Sequence, residues 1–347
     1  MEKQRSSERS EVRSPEPVEG FDFVAIGDIV TDAFIRIKDA HLTCNIDKEK
    51  CELCLRFGDK VPYESVEVIP AVGNSPNAAV SAARLGLSVA LISDMGDDYI
   101  AQDSIRELKT NKVSTEYLKL HKGFRSNYHY VLWYDVDRTI LVKHQEYPYS
   151  FPDIKPPKWI YLSSLGENSL PYHKEIAVYL NEHPEVKLAF QPGTFQMKFG
   201  LSKLKDIYAR TEIFFCNREE AERILNIKEE NMGQLLKGIS KLGPKITCIT
   251  DGPKGAYAYD GNNMWFMPVS EDGKKPFERT GAGDAFASTV TAALAFGKPI
   301  EEALRWGPIN SGSVVQFVGA QKGLLSREKL EELLSSAPKD YRPQKLV

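Results

Sequence analysis

From residue 21 onward, short runs of β-branched and aromatic residues alternate with longer stretches whose apolar positions recur at helical spacing. The runs 21–26, 89–92, 159–162, 187–190, 212–215 and 246–250 read as core strands. Between them, 76–85, 99–111, 171–182, 219–225, 232–242, 285–296 and 300–316 read as helices. Such alternation predicts an α/β domain built on a doubly wound, mainly parallel sheet. Two segments break the rhythm. Residues 34–70 and 127–143 alternate with period two (Glu64, Val66, Val68, then Tyr128, Tyr130, Leu132) and hold no helix between their runs, which predicts a small antiparallel β-sheet lid. The turn Asp135-Val136-Asp137-Arg138 is placed to close a hairpin in that lid.

Composition narrows the class. The 347 residues suit one large domain with a small appendage, and 42% hydrophobic with 27% charged residues excludes global disorder, fibrous repeats and coiled coils. A formal net charge of −3 supplies no basic field for a nucleic acid. The least polar stretch, 285–296, is well short of the ~20 residues that span a bilayer. Residues 1–20 mix charges with prolines, have no apolar signal region, and read as a disordered extension before a domain at 21–347. The five cysteines, an odd number, point to free thiols, a reducing compartment and a cytoplasmic location.

The chemistry concentrates at Arg279-Thr280-Gly281-Ala282-Gly283-Asp284, at the mouth of a helix rich in small residues. Glycines there let backbone N–H groups converge on an anion, and the helix dipole adds positive charge. Asp284 is placed to take a proton from a hydroxyl attacking a phosphate; alternatively it caps its own helix and the glycines only make a turn. No Walker-type loop occurs, and the segment after the first strand, Gly27 to Asp32, is not a dinucleotide fingerprint.

Several motifs, in order, resemble the ribokinase-like (PfkB) carbohydrate and nucleoside kinases over residues 21–325. Gly27 to Asp32 is similar to the family segment ending in a substrate-binding Asp. Val72-Gly73-Asn74-Ser75-Pro76-Asn77, with Ala83-Arg84-Leu85-Gly86, resembles the first signature. Asn217-Arg218-Glu219-Glu220 resembles the family N-x-x-E, Thr250-Asp251-Gly252-Pro253-Lys254-Gly255 the nucleotide loop, and Thr280 to Asp284 the second signature. The resemblance implies a ribokinase-like fold and ATP-dependent phosphoryl transfer to a primary hydroxyl of a sugar, with a nucleoside acceptor or a non-catalytic sugar or nucleotide sensor as alternatives. It implies Asp284 as base with the amides of Gly281, Ala282 and Gly283 as anion hole. The acceptor falls to Asp32, Gly73, Asn74 and Asn77; ATP to Thr250, Gly252, Gly255 and Asn310; and Mg2+ to Asn217 and Glu220.

The chain departs from the signatures at Val72, at Gln191-Pro192-Gly193-Thr194 and at Glu278-Arg279. The Arg279 guanidinium offers no acceptor to a monovalent cation, so it either supplies that positive field itself or simply points to solvent or pairs with Glu278. His41, Cys44, Cys51 and Cys54 carry spacing compatible with a structural zinc, against idle thiols as the larger share. Tyr128, Tyr130, Trp133 and Tyr134 read as lid packing or a lid-to-lid homodimer surface before a base-stacking site. His144 and His173 carry no ligand spacing and read as surface or capping residues.

Overall fold

The structure is a computed structural model and describes residues 20–44, 51–134, 137–229, 231–270 and 275–346. Residues 1–19 of the expected N-terminal extension and residues 135 and 136 of the expected turn lie outside the described residues.

In chain order, β1 (Phe23–Ile26) leads into β2 (Val30–Ile37), a hairpin of β3 (His41–Cys44) and β4 (Cys51–Cys54), and β5 (Tyr63–Val72). Then come α1 (Asn74–Arg84), β6 (Val89–Gly96), α2 (Tyr99–Thr110), β7 (Val113–Ser114), β8 (Leu118–His121), β9 (Asn127–Tyr134) and β10 (Asp137–Leu141). The second half begins with β11 (Trp159–Leu162), α3 (Leu170–Glu182), β12 (Lys187–Phe190), α4 (Thr194–Phe199), α5 (Leu201–Arg210) and β13 (Thr211–Asn217). It continues through α6 (Arg218–Leu225), α7 (Met232–Ser240), β14 (Ile246–Thr250), β15 (Ala256–Tyr259) and β16 (Met264–Met267). It ends with α8 (Ala282–Ala295), α9 (Ile300–Val314), α10 (Arg327–Ser336) and β17 (Gln344–Leu346).

The main sheet runs β17-β16-β15-β14-β13-β12-β11-β1-β6-β7, with β8 also on β6. It is parallel from β14 through β11 and β1 to β6 and antiparallel beyond β14. Its central strands bury alternate residues in opposite cores. Phe23 and Ala25 join the layer of α1, α8 and α9, while Val24 and Ile26 join that of α3, α5 and α7. This two-sided burial is why these strands read as unbroken apolar runs. The antiparallel extension β15–β17 is not legible in the same way, because its strands are half exposed and short.

The lid is a four-stranded sheet, β10-β9-β2-β5, separate from the main sheet. One expectation is corrected: β2 and β9 pair in parallel, so the lid is mixed, with antiparallel pairing at both edges. The pair is parallel because the chain makes an excursion through the main sheet, α1 to β8, before it returns. The β3–β4 hairpin forms its own two-stranded sheet, in which Cys44 lies opposite Cys51 and the two form a disulfide. That corrects both cysteine expectations. Free thiols hold for Cys54, Cys216 and Cys248 only, and a zinc site at His41, Cys44, Cys51 and Cys54 loses two ligands. Among the described residues no group of three or more His, Cys, Asp or Glu side chains could hold a metal ion.

Candidate active site

At β1 the strand order reverses, with β6 on one side and β11 on the other, and the crevice outside the carboxyl ends of such strands is the usual ligand position in a doubly wound sheet. Here it holds a 680 Å³ cleft. Its walls include Asp28 after β1, Asp32 on β2, Gly73, Asn74 and Asn77 at the head of α1, and Thr280 and Asp284 at the head of α8. Three segments far apart in sequence thus converge where the sequence motifs expect one site.

Gly281 caps α8 in the left-handed region, φ 78°, and a Cβ there would lie 2.3 Å from the Ala320 Cβ. Only glycine fits both demands. The first-turn amides of α8 have no intrahelical partner and point their dipoles at the cleft end of the helix. Asp284, in that first turn, does not cap the helix: Gly281 makes no side-chain cap, and the Asp284 carboxylate is turned to other elements. Asn74 donates to Oδ1 at 2.8 Å, Asn77 to Oδ2 at 2.8 Å, and Gln191, after β12, to Oδ1 at 3.2 Å. Tyr161 in turn donates to the Gln191 amide oxygen, and Gln321 donates to Asn77 at 3.0 Å and to the Ala71 carbonyl at 2.7 Å. The carboxylate is therefore locked in one orientation by a network reaching three strands. Asn74 and Asn77, expected to bind the acceptor, line the cleft, and each gives one Nδ2–H to Asp284. Gln191, a departure from the signatures, belongs to this same network.

Glu278 is 2% exposed and sits beneath the loop that leads to α8. It accepts from the Thr280 amide at 2.7 Å, from the Thr280 hydroxyl, and from the Gly319 amide at 3.3 Å. Its charge partner is Arg138 of β10, at 3.1 Å. Beside it Trp133 of β9 meets Phe277 edge to face at 5.5 Å. The lid is thus fastened to the α8 loop through a cation, but the cation is Arg138. Arg279, for which that field was considered, is exposed.

On the opposite wall, Tyr149 donates to Asp28 Oδ1 at 2.8 Å, and its phenol is pushed well above the usual range by burial and by the Asp28 charge, so it remains a donor. His129 and His144 also line this wall. His144, expected at the surface, is a correction: its imidazole lies 3.4 Å from Asp28. His173 is buried too, its Nδ1 donating to the Ser169 carbonyl at 2.8 Å. His129 was legible in principle. It falls on the phase of the β9 alternation opposite Tyr128 and Tyr130, and therefore faces inward.

Asn217 and Thr250 are register neighbours at the ends of β13 and β14. Asn217 and Glu220 form a reciprocal capping box on α6, Asn217 Oδ1 accepting from the Glu220 amide and Glu220 Oε2 from the Asn217 amide, each at 2.8 Å. Burial raises the Glu220 pKa, and the Asp284 charge adds to the rise, so the two carboxylates feel one another. Gly252 and Gly255 shape the adjoining β14–β15 turn. Asn310 does not join them. Its amide donates to Thr289 at 2.7 Å and accepts from the Leu325 amide at 2.9 Å, wholly buried. Its helix neighbours Ile309, Gly312 and Ser313 face a second, 790 Å³ cavity, and one helical step of about 100° turns Asn310 away from it.

A match to the family described as pfkB family carbohydrate kinase covers residues 42–327. The chain belongs to this family. The pfkB-family chain is 27% identical to the ribokinase of Bacillus subtilis (strain 168) over 290 residues, covering 81% of this chain and 92% of that protein. It is 22% identical to a nucleoside kinase of Methanocaldococcus jannaschii over 274 residues, covering 76% and 84%. Among solved structures, Arabidopsis thaliana ribokinase complexed with ribose and ATP superposes with a TM-score of 0.75 at 18% identity, covering 91% of this chain and 99% of that one. The Methanocaldococcus jannaschii nucleoside kinase structure gives 0.72 at 18% identity with the same coverage. At that identity the structural likeness establishes a shared ribokinase fold. No helix among the described residues is long and apolar enough to cross a membrane.

Proposed function

We propose that this pfkB-family kinase transfers the γ-phosphoryl group of ATP to a primary hydroxyl of a sugar, with Asp284 as general base. The observation that carries the reading is the Asp284 carboxylate held by Asn74, Asn77 and Gln191 in the first turn of α8, beside the Gly281 cap. Fixed orientation matters more than basicity here, because in a loose phosphoryl-transfer transition state the proton leaves late. The amides of Gly281, Ala282 and Gly283 stabilise charge on the transferred group. Asp32 and Gly73 face the acceptor in the cleft. ATP lies on the other side of the α8 head, its phosphates towards Thr250, Gly252 and Gly255 and its base in the second cavity. Ser311 of α9 donates to the Ala282 carbonyl at 2.5 Å, which ties α9 to the head of α8.

The donor set suits Mg2+: capping occupies Glu220 Oε2, a carboxylate has a second oxygen, and this ion binds through one or two carboxylates while keeping much of its water. Asn217 and Glu220 would hold it, and it would supply charge neutralisation at the phosphates. The kinase domain spans residues 21–347, its lid formed from 34–70 and 127–143 closing to exclude water. The exposed Tyr63, Val66, Val68 and Tyr130 of the lid offer a surface for a homodimer, and a cytoplasmic location would supply its ATP.

Incubating the protein with ATP and Mg2+ and one of ribose, fructose, adenosine or cytidine tests this. ADP release dependent on a sugar, with the phosphate on its primary hydroxyl, is expected. Release with nucleosides only would move the acceptor to that class, and no release with any of them would remove the catalytic reading.

A further inference from the structure

The acceptor wall carries four buried or nearly buried polar groups whose pairing is incomplete. Asp28 is 3% exposed and Asp32 9%. His144 Nδ1 approaches Asp28 Oδ2 at 3.4 Å, and His129 Nδ1 approaches Asp32 Oδ1 at 3.5 Å, yet none of these contacts is a hydrogen bond. Asp28 Oδ2, Asp32 Oδ1, His129 Nε2 and His144 Nδ1 are all left without a hydrogen-bond partner. Buried polar atoms are paired in nearly every folded protein, so four orphans on one wall of a cleft mark where a ligand completes the set. The two imidazoles stand edge to face at 5.5 Å, which sets the couples side by side. Gly73 keeps them close: its φ of 117° and the 2.7 Å that would separate a Cβ from the Asp28 carbonyl press the α1 loop onto the Asp28 backbone.

The charge of the cleft selects the ligand further. Among the described residues lining it, five are carboxylates (Asp28, Asp32, Glu146, Glu167, Asp284) and none is Lys or Arg. A phosphorylated acceptor would enter a field of its own sign with no cation to receive it. Hydroxyl groups, by contrast, donate to carboxylate oxygens and accept from imidazole N–H, the atoms left open here.

Beside Asp32, already expected to bind the acceptor, we propose that Asp28 with His144 forms an additional carboxylate–imidazole couple that binds a neighbouring hydroxyl of an unphosphorylated, polyhydroxylated acceptor and determines its specificity. The inference rests on the kinase reading. Asp28 and His144 act by binding the acceptor, so their loss is felt in its KM and not in the transfer step.

The test uses the full chain with ATP and Mg2+, and ribose, fructose, cytidine and fructose 6-phosphate as probes. Asp28→Asn and His144→Ala are each expected to raise KM for the active unphosphorylated probe about 10- to 100-fold, the loss typical of a hydrogen bond to a charged group, with kcat within about threefold and KM for ATP unchanged. Thermal unfolding of Asp28→Asn, which keeps the side-chain shape, verifies that the fold persists. In the native chain, deoxy analogues of the active probe are expected to lose a similar factor at one hydroxyl, and that loss disappears in Asp28→Asn. An acceptor KM within twofold of native in both variants, or a higher kcat/KM for fructose 6-phosphate than for fructose, overturns the inference while leaving the kinase reading intact. A panel with no turnover overturns both.

Discussion

On the α8 side of the cleft the Asp284 carboxylate receives three amide donors, whereas on the acceptor side Asp28 and Asp32 each keep an oxygen with no hydrogen-bond partner. Both sides are buried and both are acidic, so burial alone does not explain the difference. What differs is when the partner arrives. A group whose task is to be in place at the moment of reaction is best oriented by the protein itself, since any reorganisation would add to the barrier. A group whose task is to recognise a ligand must leave its bonding capacity open until the ligand supplies it. Under the proposed function, the same polar chemistry is complete where the base is held and incomplete where the acceptor would bind.

Three changes probe that contrast, beginning with the one of largest effect. Asp284→Asn keeps the shape of the side chain and removes the base; turnover is expected to fall ~10²- to 10⁴-fold while ATP still binds, as followed by steady-state kinetics and calorimetric titration. Near-normal turnover would mean that the prepared side of the cleft is prepared for something else.

Asn77→Ala is expected to separate the two sides most sharply. It removes the donor to Asp284 Oδ2, a loss of about 1–3 kcal/mol for an unsatisfied buried group, while the Gln321 amide keeps its bond to the Ala71 carbonyl. Because Asn77 gives one Nδ2–H to Asp284, kcat is expected to drop about tenfold with acceptor KM little changed, the reverse of the Asp28→Asn pattern. A rise in acceptor KM without loss of kcat would return Asn77 to the acceptor.

The smallest effect is expected from the fastening between lid and catalytic loop. Arg138→Met removes the cation at Glu278, 2% exposed, but leaves Trp133 against Phe277. Amide exchange across residues 127–141 and at the Thr280 loop is expected to quicken together, with kcat falling only about two- to fivefold because the aromatic contact persists. Quickening confined to the lid strands would show that lid and loop are not joined through Glu278.

Much of the fold was legible because it depends on local pattern. Strand positions buried on two faces, such as 159–162 and 188–190, are apolar throughout, and that signature survives in a single sequence. The half-exposed β15–β17 extension has no such constraint and was not anticipated. Asp284 at a helix head beside Gly281 was equally readable, since a left-handed cap and a first-turn carboxylate lie within four residues of each other. His144 and Gln191 were not identified as site residues, because neither sits in a spacing pattern; only the segment after β10 and the end of β12 carry them to the cleft.

The sequence by itself determined the α/β alternation, the lid segments, the glycine-framed helix head and the identity of the carboxylate placed there, all consequences of periodicity and backbone conformation within a few neighbouring residues. Tertiary structure alone decided that Asn74 and Asn77, 210 and 207 residues away, orient that carboxylate, and that Arg138 rather than Arg279 faces Glu278. It also decided that Cys44 pairs with Cys51 and that Asn310 turns into the core. These pairings depend on which strand crosses to which side of β1 and on which face of a helix meets the sheet. No local preference encodes either choice, because both follow from burying two apolar cores at once.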